Sequence, residues 1–150
     1  MLRSKRSRVA VFGITAMVGA GLLVVAPSAS ASGTKCNPGC EAQVEFRSYG
    51  EHLIVHDYAR DGHSAVALVQ QWIVDAWGDG YWVNKNGVYG RNGHFWNSMG
   101  FDGPAVDYNI SIPENRPVRY RACKGESDWY DHPNGGVTFD CSANWRYDRA

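Results

Sequence analysis

Alternation of apolar and polar residues with a period of two, punctuated by turn residues, constrains this chain more than any other feature. In Val106-Asp107-Tyr108-Asn109-Ile110-Ser111-Ile112 the apolar side chains share one face and short polar ones take the other, the pattern of a half-buried strand. Pro113 to Pro117 forms a turn, after which Val118, Tyr120 and Ala122 continue the inward face and Arg119 and Arg121 point outward. Val44 and Phe46 alternate with Gln43, Glu45 and Arg47, and a tight connection at Tyr49-Gly50-Glu51 leads to a second strand from Leu53 to Tyr58. Ala59-Arg60-Asp61-Gly62 carries a hairpin signature, since glycine takes the positive φ such a turn needs. Ala65 to Val74 is apolar on nearly both faces, which suits a central strand, with a short helix as the alternative. Val137 to Cys141 supplies a last strand. Six or seven strands with hardly any helical periodicity predict an all-β fold: an antiparallel β-sandwich with long aromatic-rich loops, or alternatively a small β-barrel.

Residues 1–31 stand apart. Arg3, Lys5, Arg6 and Arg8 precede an uncharged apolar run from Val9 to Ala26, and Pro27 then leads to Ala29-Ser30-Ala31, a small-x-small cleavage site. This is the pattern of a signal peptide, and it predicts a secreted, extracellular single domain over residues 32–150. An apolar run of about 18 residues sits at the lower edge of what spans a bilayer. Gly13, Gly19, Gly21 and the cleavage site favour removal, so no stable membrane anchor is expected after cleavage. No leucine stands upstream of Cys36 where a lipoprotein signal requires one. The 119 residues that remain suffice for one domain burying roughly two-thirds of its unfolded surface. Four of the 15 basic residues and none of the 15 acidic ones lie in the leader, so the neutral chain becomes a domain of net charge −4. That balance argues against nucleic acid, whose binding depends on basic surface and counterion release.

All four cysteines fall in the mature part, and an even count in an exported chain reads as two disulfides. Three pairings are possible. Cys36 with Cys40 and Cys123 with Cys141 are favoured, because Asn37-Pro38-Gly39-Cys40 looks like a type II turn and the second pair brackets a hairpin. Closing the longer loop stabilises by about 3 kcal/mol in the chain-entropy model, whereas the four-residue spacing closes little. Zinc needs paired C-x2-C or Cys/His spacing, which is absent.

Val118-Arg119-Tyr120-Arg121-Ala122-Cys123, a polar loop, then Cys141 and Trp145, together with Asp61-Gly62-His63-Ser64-Ala65-Val66, resemble a group of small secreted proteins of filamentous Gram-positive bacteria. The resemblance covers most of the mature chain. It implies an extracellular, disulfide-stapled β architecture and nothing about chemistry.

His52, His56 and His63 cluster in sequence with Asp57 and Asp61, yet His52 and His56 on one strand stand about 13 Å apart, too far to share a metal ion. His63 is placed to meet His56 across the expected hairpin. Asp57, Asp61 and Gly62 lack the spacing of a calcium loop; calcium held by carboxylates from separate segments, among them Asp75, Asp79, Asp102 and Asp128, stays open. There is no G-x-S-x-G elbow around Ser64 or Ser98, and 15 carboxylates give no basis for choosing a catalytic pair. No cofactor or metal is expected, and no catalytic residue is singled out.

The strongest anomaly is aromatic. Six Trp, eight Tyr and four Phe fall in the mature chain, more than so small a core can absorb. Trp72 and Tyr120 fit core patterns. Trp77, Tyr81, Trp82, Trp96 and Trp129 sit instead beside glycine, asparagine or aspartate, as in a sugar site, where rings pack on C–H faces and polar neighbours bond hydroxyls. A second core beneath long loops is the blander account of the same rings. For Arg119 and Arg121 the choice lies between an anion clamp and pairing with Asp107 or Asp140. The reading is a monomeric, non-catalytic binding domain for an extracellular glycan or cell-envelope polymer. The alternatives are a protein-directed module such as an inhibitor of a secreted enzyme, and a small extracellular hydrolase.

Overall fold

The computed structural model describes residues 32–86, 92–98, 101–126 and 136–150. Residues 1–31, Trp129 and most of the loop before β9 lie outside the described residues. Among those described there is no helix long and apolar enough to cross a membrane.

The all-β class and the two-sheet architecture hold, divided into ten strands where alternation marks six or seven. They are β1 (Ser32–Cys36), β2 (Ala42–Arg47), β3 (His52–Asp57), β4 (Ser64–Val74), β5 (Gly80–Asn84), β6 (His94–Asn97), β7 (Val106–Asn109), β8 (Pro117–Glu126), β9 (Val137–Phe139) and β10 (Arg146–Arg149). A four-stranded sheet has the order β1-β2-β3-β7. A six-stranded sheet has the order β10-β8-β4-β5, with β6 also pairing β4 and β9 pairing β8, and every pairing in both sheets is antiparallel. β4 is a full strand of 11 residues at the centre of the larger sheet, and the helical alternative falls away.

The core forms where the sheets face one another. Val44, Phe46, Leu53 and Val55 from one meet Ala67, Val69, Phe95, Val118, Tyr120 and Ala122 from the other. Burying each large apolar side chain stabilises by about 1.5–3 kcal/mol. Phe46 and Tyr120 pack with ring centroids 5.8 Å apart. The Tyr120 hydroxyl donates to the Asp148 carboxylate at 2.8 Å, and burial followed by that carboxylate pushes its pKa far above the ordinary phenol value. Asn97, also buried, donates from Nδ2 to the Val55 carbonyl at 3.0 Å and so pins β6 to the opposite sheet.

One connection differs from the sequence expectation: Ala59 to Gly62 is not a hairpin but carries the chain from β3 to β4, a change of sheet, and the expected turn at Pro113 to Pro117 likewise leads from β7 in one sheet to β8 in the other. Alternation is blind to this difference, because a strand crossing to the facing sheet keeps its apolar side chains turned to the same core. The β2–β3 hairpin at Tyr49-Gly50-Glu51 is as expected.

Both disulfides are the favoured pairs, Cys36–Cys40 and Cys123–Cys141. The type II turn is present at the first: Gly39 has φ 80° and ψ −10°, and the Cys40 amide donates to the Asn37 carbonyl at 3.0 Å. The second ties the segment before β10 to β8, where the Ser142 amide donates to the Ala122 carbonyl at 2.8 Å.

Candidate functional site

The outward face of the six-stranded sheet gathers the aromatic and cationic side chains that the core does not use. Register fixes which residues share it. On β8 the odd positions point away from the core, and Arg119 lies opposite Gln70 of β4 and Tyr147 of β10. Gln70 in turn lies opposite Asn84 of β5, while Trp72 faces Trp82 across the same strand pair. Trp72 is therefore on the outer surface, a correction to its expected core position, because it lies three residues from core-facing Val69 and alternation turns it to the opposite face of β4.

These side chains form one stacked assembly. Trp72 and Trp82 meet edge to face at 5.2 Å, and Trp82 meets Tyr147 at 5.7 Å. Since β5 and β10 are three strand spacings apart, about 14 Å on a flat sheet, the latter two rings must reach toward each other above β4 and β8. The Arg119 guanidinium lies between rings, 4.5 Å from the Trp82 centroid and 4.7 Å from that of Trp145. Its Nε donates to Gln70 Oε1 at 2.7 Å, and Gln70 Nε2 donates to Asn84 Oδ1 at 2.8 Å. Arg121 stacks on Trp145 at 4.8 Å. Neither arginine takes Asp107 or Asp140, the partners expected from sequence; Asp107 lies in the other sheet against His52. Cation–π contacts of this kind contribute about 0.5–2 kcal/mol each and hold a guanidinium flat.

Local sequence explains the assembly. Gly80 has no side chain because the Trp72 indole occupies that space: a Cβ there would stand 2.2 Å from the ring. The Cys123–Cys141 bond brings the chain back along β8, so Trp145 arrives over Arg119 and Arg121 just before β10 begins.

The tryptophans and tyrosine singled out in the sequence do not converge. Trp82 belongs to the assembly. Trp96 shares the face, but it pairs with Val66, six residues along β4 from Trp72, or about 20 Å. Its ring packs on Gly125, where a Cβ would come within 2.7 Å, and it stacks with His94 at 6.2 Å. Trp77 stands at the tip of the β4–β5 hairpin, 88% exposed, and Tyr81 next to it is 45% exposed. Trp145, Tyr147 and Trp72 are the members the sequence reading missed, and Arg119 was singled out there without its ring partners. Their signal was present in part: Arg119 and Tyr147 both sit at outward positions, but only register puts them side by side.

The histidines are separated too. His52 Nδ1 lies 2.8 Å from Asp107, His56 stacks on Tyr58 at 5.4 Å, and His63 Nδ1 lies 2.6 Å from Glu126 instead of meeting His56. A shallow cleft of about 280 Å³ is lined by His63, Ser64, Ser98, Arg60, Phe101 and Asp102 among others. Its charged groups neutralise one another, Arg60 reaching both Asp102 oxygens at 2.8 and 2.9 Å. Among the described residues no three His, Cys, Asp or Glu side chains are grouped to hold a metal ion. No protein-family model, curated protein or solved structure matches the chain.

Proposed function

We propose that the protein is a non-catalytic binding module that acts outside the cytosol, and that its ligand surface is the Trp72, Trp82, Tyr147 and Trp145 assembly. The observation that carries this reading is the placement of these rings on an outward sheet face, bracketing a hydrogen-bonded Gln70–Asn84 pair. Rings offer apolar surface to the C–H faces of a sugar, and amides meet its hydroxyls. The ligand class is an extracellular or cell-envelope glycan. Trp82 is its central anchor, since it touches Trp72, Tyr147 and Arg119 together. The paired cysteines agree with an oxidising compartment.

Retention on insoluble polysaccharides tests the reading. Trp82→Ala is expected to lose retention by about 30-fold or more, the scale of an interface hot spot. Trp96→Ala, at the far end of the sheet, keeps it. Equal retention of the Trp82→Ala variant and the parent protein removes the assignment.

A second reading, a protein-directed module, is favoured by one feature. The Asp75 side chain accepts hydrogen bonds from the Trp77 and Asp79 amides, each at 2.9 Å, and so braces a hairpin tip that presents a bare tryptophan. Rigid exposed tryptophan suits a protein hot spot. Under this reading Trp77→Ala, not Trp82→Ala, abolishes binding.

A further inference from the structure

We infer that the glycan bound on this face is anionic, with Arg121 and Arg119 receiving its acidic groups; this rests on the platform reading above and specifies its substrate class. Three observations converge on it.

The first is the sign of the surface. Outward positions on the strands of the six-stranded sheet carry Arg119, Arg121, Arg149 and His94, and among the described residues no Asp or Glu occupies any of them. This holds in a domain with four more acidic than basic residues after the leader. Of the described carboxylates, Glu45 and Asp107 lie on the other sheet, Glu41 and Asp61 around Lys124 and Asp102 against Arg60, while Asp75 and Asp79 sit in the β4–β5 turn at the edge of the face.

The second is the state of the two central arginines. Arg47, Arg60, Lys124 and Arg146 each have an acid within 3.5 Å, whereas Arg119 and Arg121, like Lys35, Lys85, Arg116 and Arg149, have none among the described residues. Arg119 has a neutral amide and two rings, while Arg121 has Trp145 and no hydrogen-bond acceptor for its shielded Nε. A ring face offsets part of a guanidinium charge but supplies no acceptor for its N–H groups. With its Nε shielded, Arg121 offers its terminal Nη donors, which no described residue accepts and which a carboxylate or phosphate satisfies by paired, charge-assisted hydrogen bonds.

The third is spacing. Arg119 and Arg121 are two residues apart on one strand and stand about 7 Å from each other along it. Stacking on Trp145 holds both in one row beside the Trp82 and Tyr147 rings. A row of cations beside a row of rings fits a chain molecule that repeats an acidic group next to a sugar or polyol unit.

The test compares one backbone with and without its charge. Binding to polygalacturonate is measured beside its fully methyl-esterified form, with poly(glycerol phosphate) as the phosphate counterpart and oligothymidylate as the nucleic-acid control. The proposal expects polygalacturonate or poly(glycerol phosphate) to bind at least about tenfold more tightly than the methyl ester, with affinity falling as salt rises. The stronger of the two identifies carboxylate or phosphate as the preferred group. Arg121→Gln removes the charge and its stacking on Trp145 without breaking any hydrogen bond; it should lose that tenfold preference and Arg121→Lys should retain part of it, with both variants folded and melting within about 10 °C of the parent. Equal binding of charged and esterified polymers, or an unchanged preference in Arg121→Gln, overturns the inference and leaves the glycan platform standing. Failure to bind any of the polysaccharides overturns both. Oligothymidylate binding as tightly as the acidic polymers overturns the glycan assignment in favour of a nucleic acid.

Discussion

The outer faces of the two sheets are built from the same alternation and yet treat charge in opposite ways. On the four-stranded sheet Arg47 meets Glu45 at 2.6 Å and His52 meets Asp107 at 2.8 Å, so charges close in solvated pairs. On the six-stranded sheet Arg119 and Arg121 lie among Trp82, Trp145 and Tyr147, and among the described residues no acid is paired with either. The first arrangement needs nothing further. The second holds cations in fixed orientations with donors to spare, at the cost of ordering several large rings in water. That contrast separates a face that merely completes the fold from the one proposed to receive a ligand.

The largest blow to the contrast should come from the disulfides, one on each side of it. Replacing Cys123 and Cys141 by serine is expected to cost about 3 kcal/mol, and replacing Cys36 and Cys40 about 2 kcal/mol or less, since the loops closed span 18 and 4 residues. Denaturant unfolding measures both. The two variants should also differ in binding: only loss of Cys123–Cys141 releases the segment that holds Trp145 over the arginines. If both pairs weaken ligand retention equally, Trp145 is not held in place by its disulfide.

Gly80→Ala attacks the ring assembly directly. The added Cβ meets the Trp72 indole at 2.2 Å, so the indole must move and its contact with Trp82 is lost. Overpacking of this kind costs about 1–3 kcal/mol. Thermal unfolding and polysaccharide retention should fall together. A variant that loses stability but keeps full retention would show that Trp72 supports the strand pair and not the ligand surface.

Much of this was legible in the sequence. The inward face Val118, Tyr120, Ala122 and the outward Arg119 and Arg121 follow from alternation, the Pro38-Gly39 turn from its turn residues, and the central place of β4 from apolar side chains on both of its faces. What alternation omits is which strands become neighbours. Asp61-Gly62 carries a hairpin signature, yet its neighbours β3 and β4 belong to different sheets, because turn residues specify a reversal and not the surface it returns to. β10 gives no apolar alternation, since Arg146-Tyr147-Asp148-Arg149 packs mainly polar groups against β8. Tyr147 and Trp145 therefore had no visible partner until register joined them to Arg119. Conversely, Trp77, Trp82 and Trp96 were grouped by composition, which carries no distance.

The seam between the two sheets responds to pH through two aspartates of the β3–β4 crossing. Lys124 holds Asp61 below the usual carboxylate range, with help from the His63 amide, whereas burial raises Asp57. The signs are opposite. Asp61 contributes stability above the unfolded value of about 3.9, which is lost as pH falls through its lower folded value. For Asp57 the folded state holds its proton more tightly, so stability is present below the unfolded value and is lost as pH rises through the raised folded one. Melting temperatures between pH 3 and 7 should show Asp61→Asn less stable than the parent at pH 7, with the gap closing in acid. Asp57→Asn should compare best with the parent at pH 7 and lose that advantage in acid. Parallel curves for all three proteins would show that neither carboxylate is perturbed.

The smallest effect belongs to the paired face, and its smallness is what the contrast requires. His52 and Asp107 have side chains 40% and 49% exposed, where an ion pair contributes about 0–1 kcal/mol and salt screens it. Asp107→Asn should shift unfolding by less than about 0.5 kcal/mol. It should leave binding to an acidic polymer unchanged, because Asp107 projects from the opposite side of the core and lies beyond screening range of Arg121. Loss of a negative charge strengthens an anion's attraction only if the anion passes near it. Tighter binding of polygalacturonate by Asp107→Asn, measured at physiological salt, would therefore place the ligand on the four-stranded sheet and reverse the assignment of the two faces.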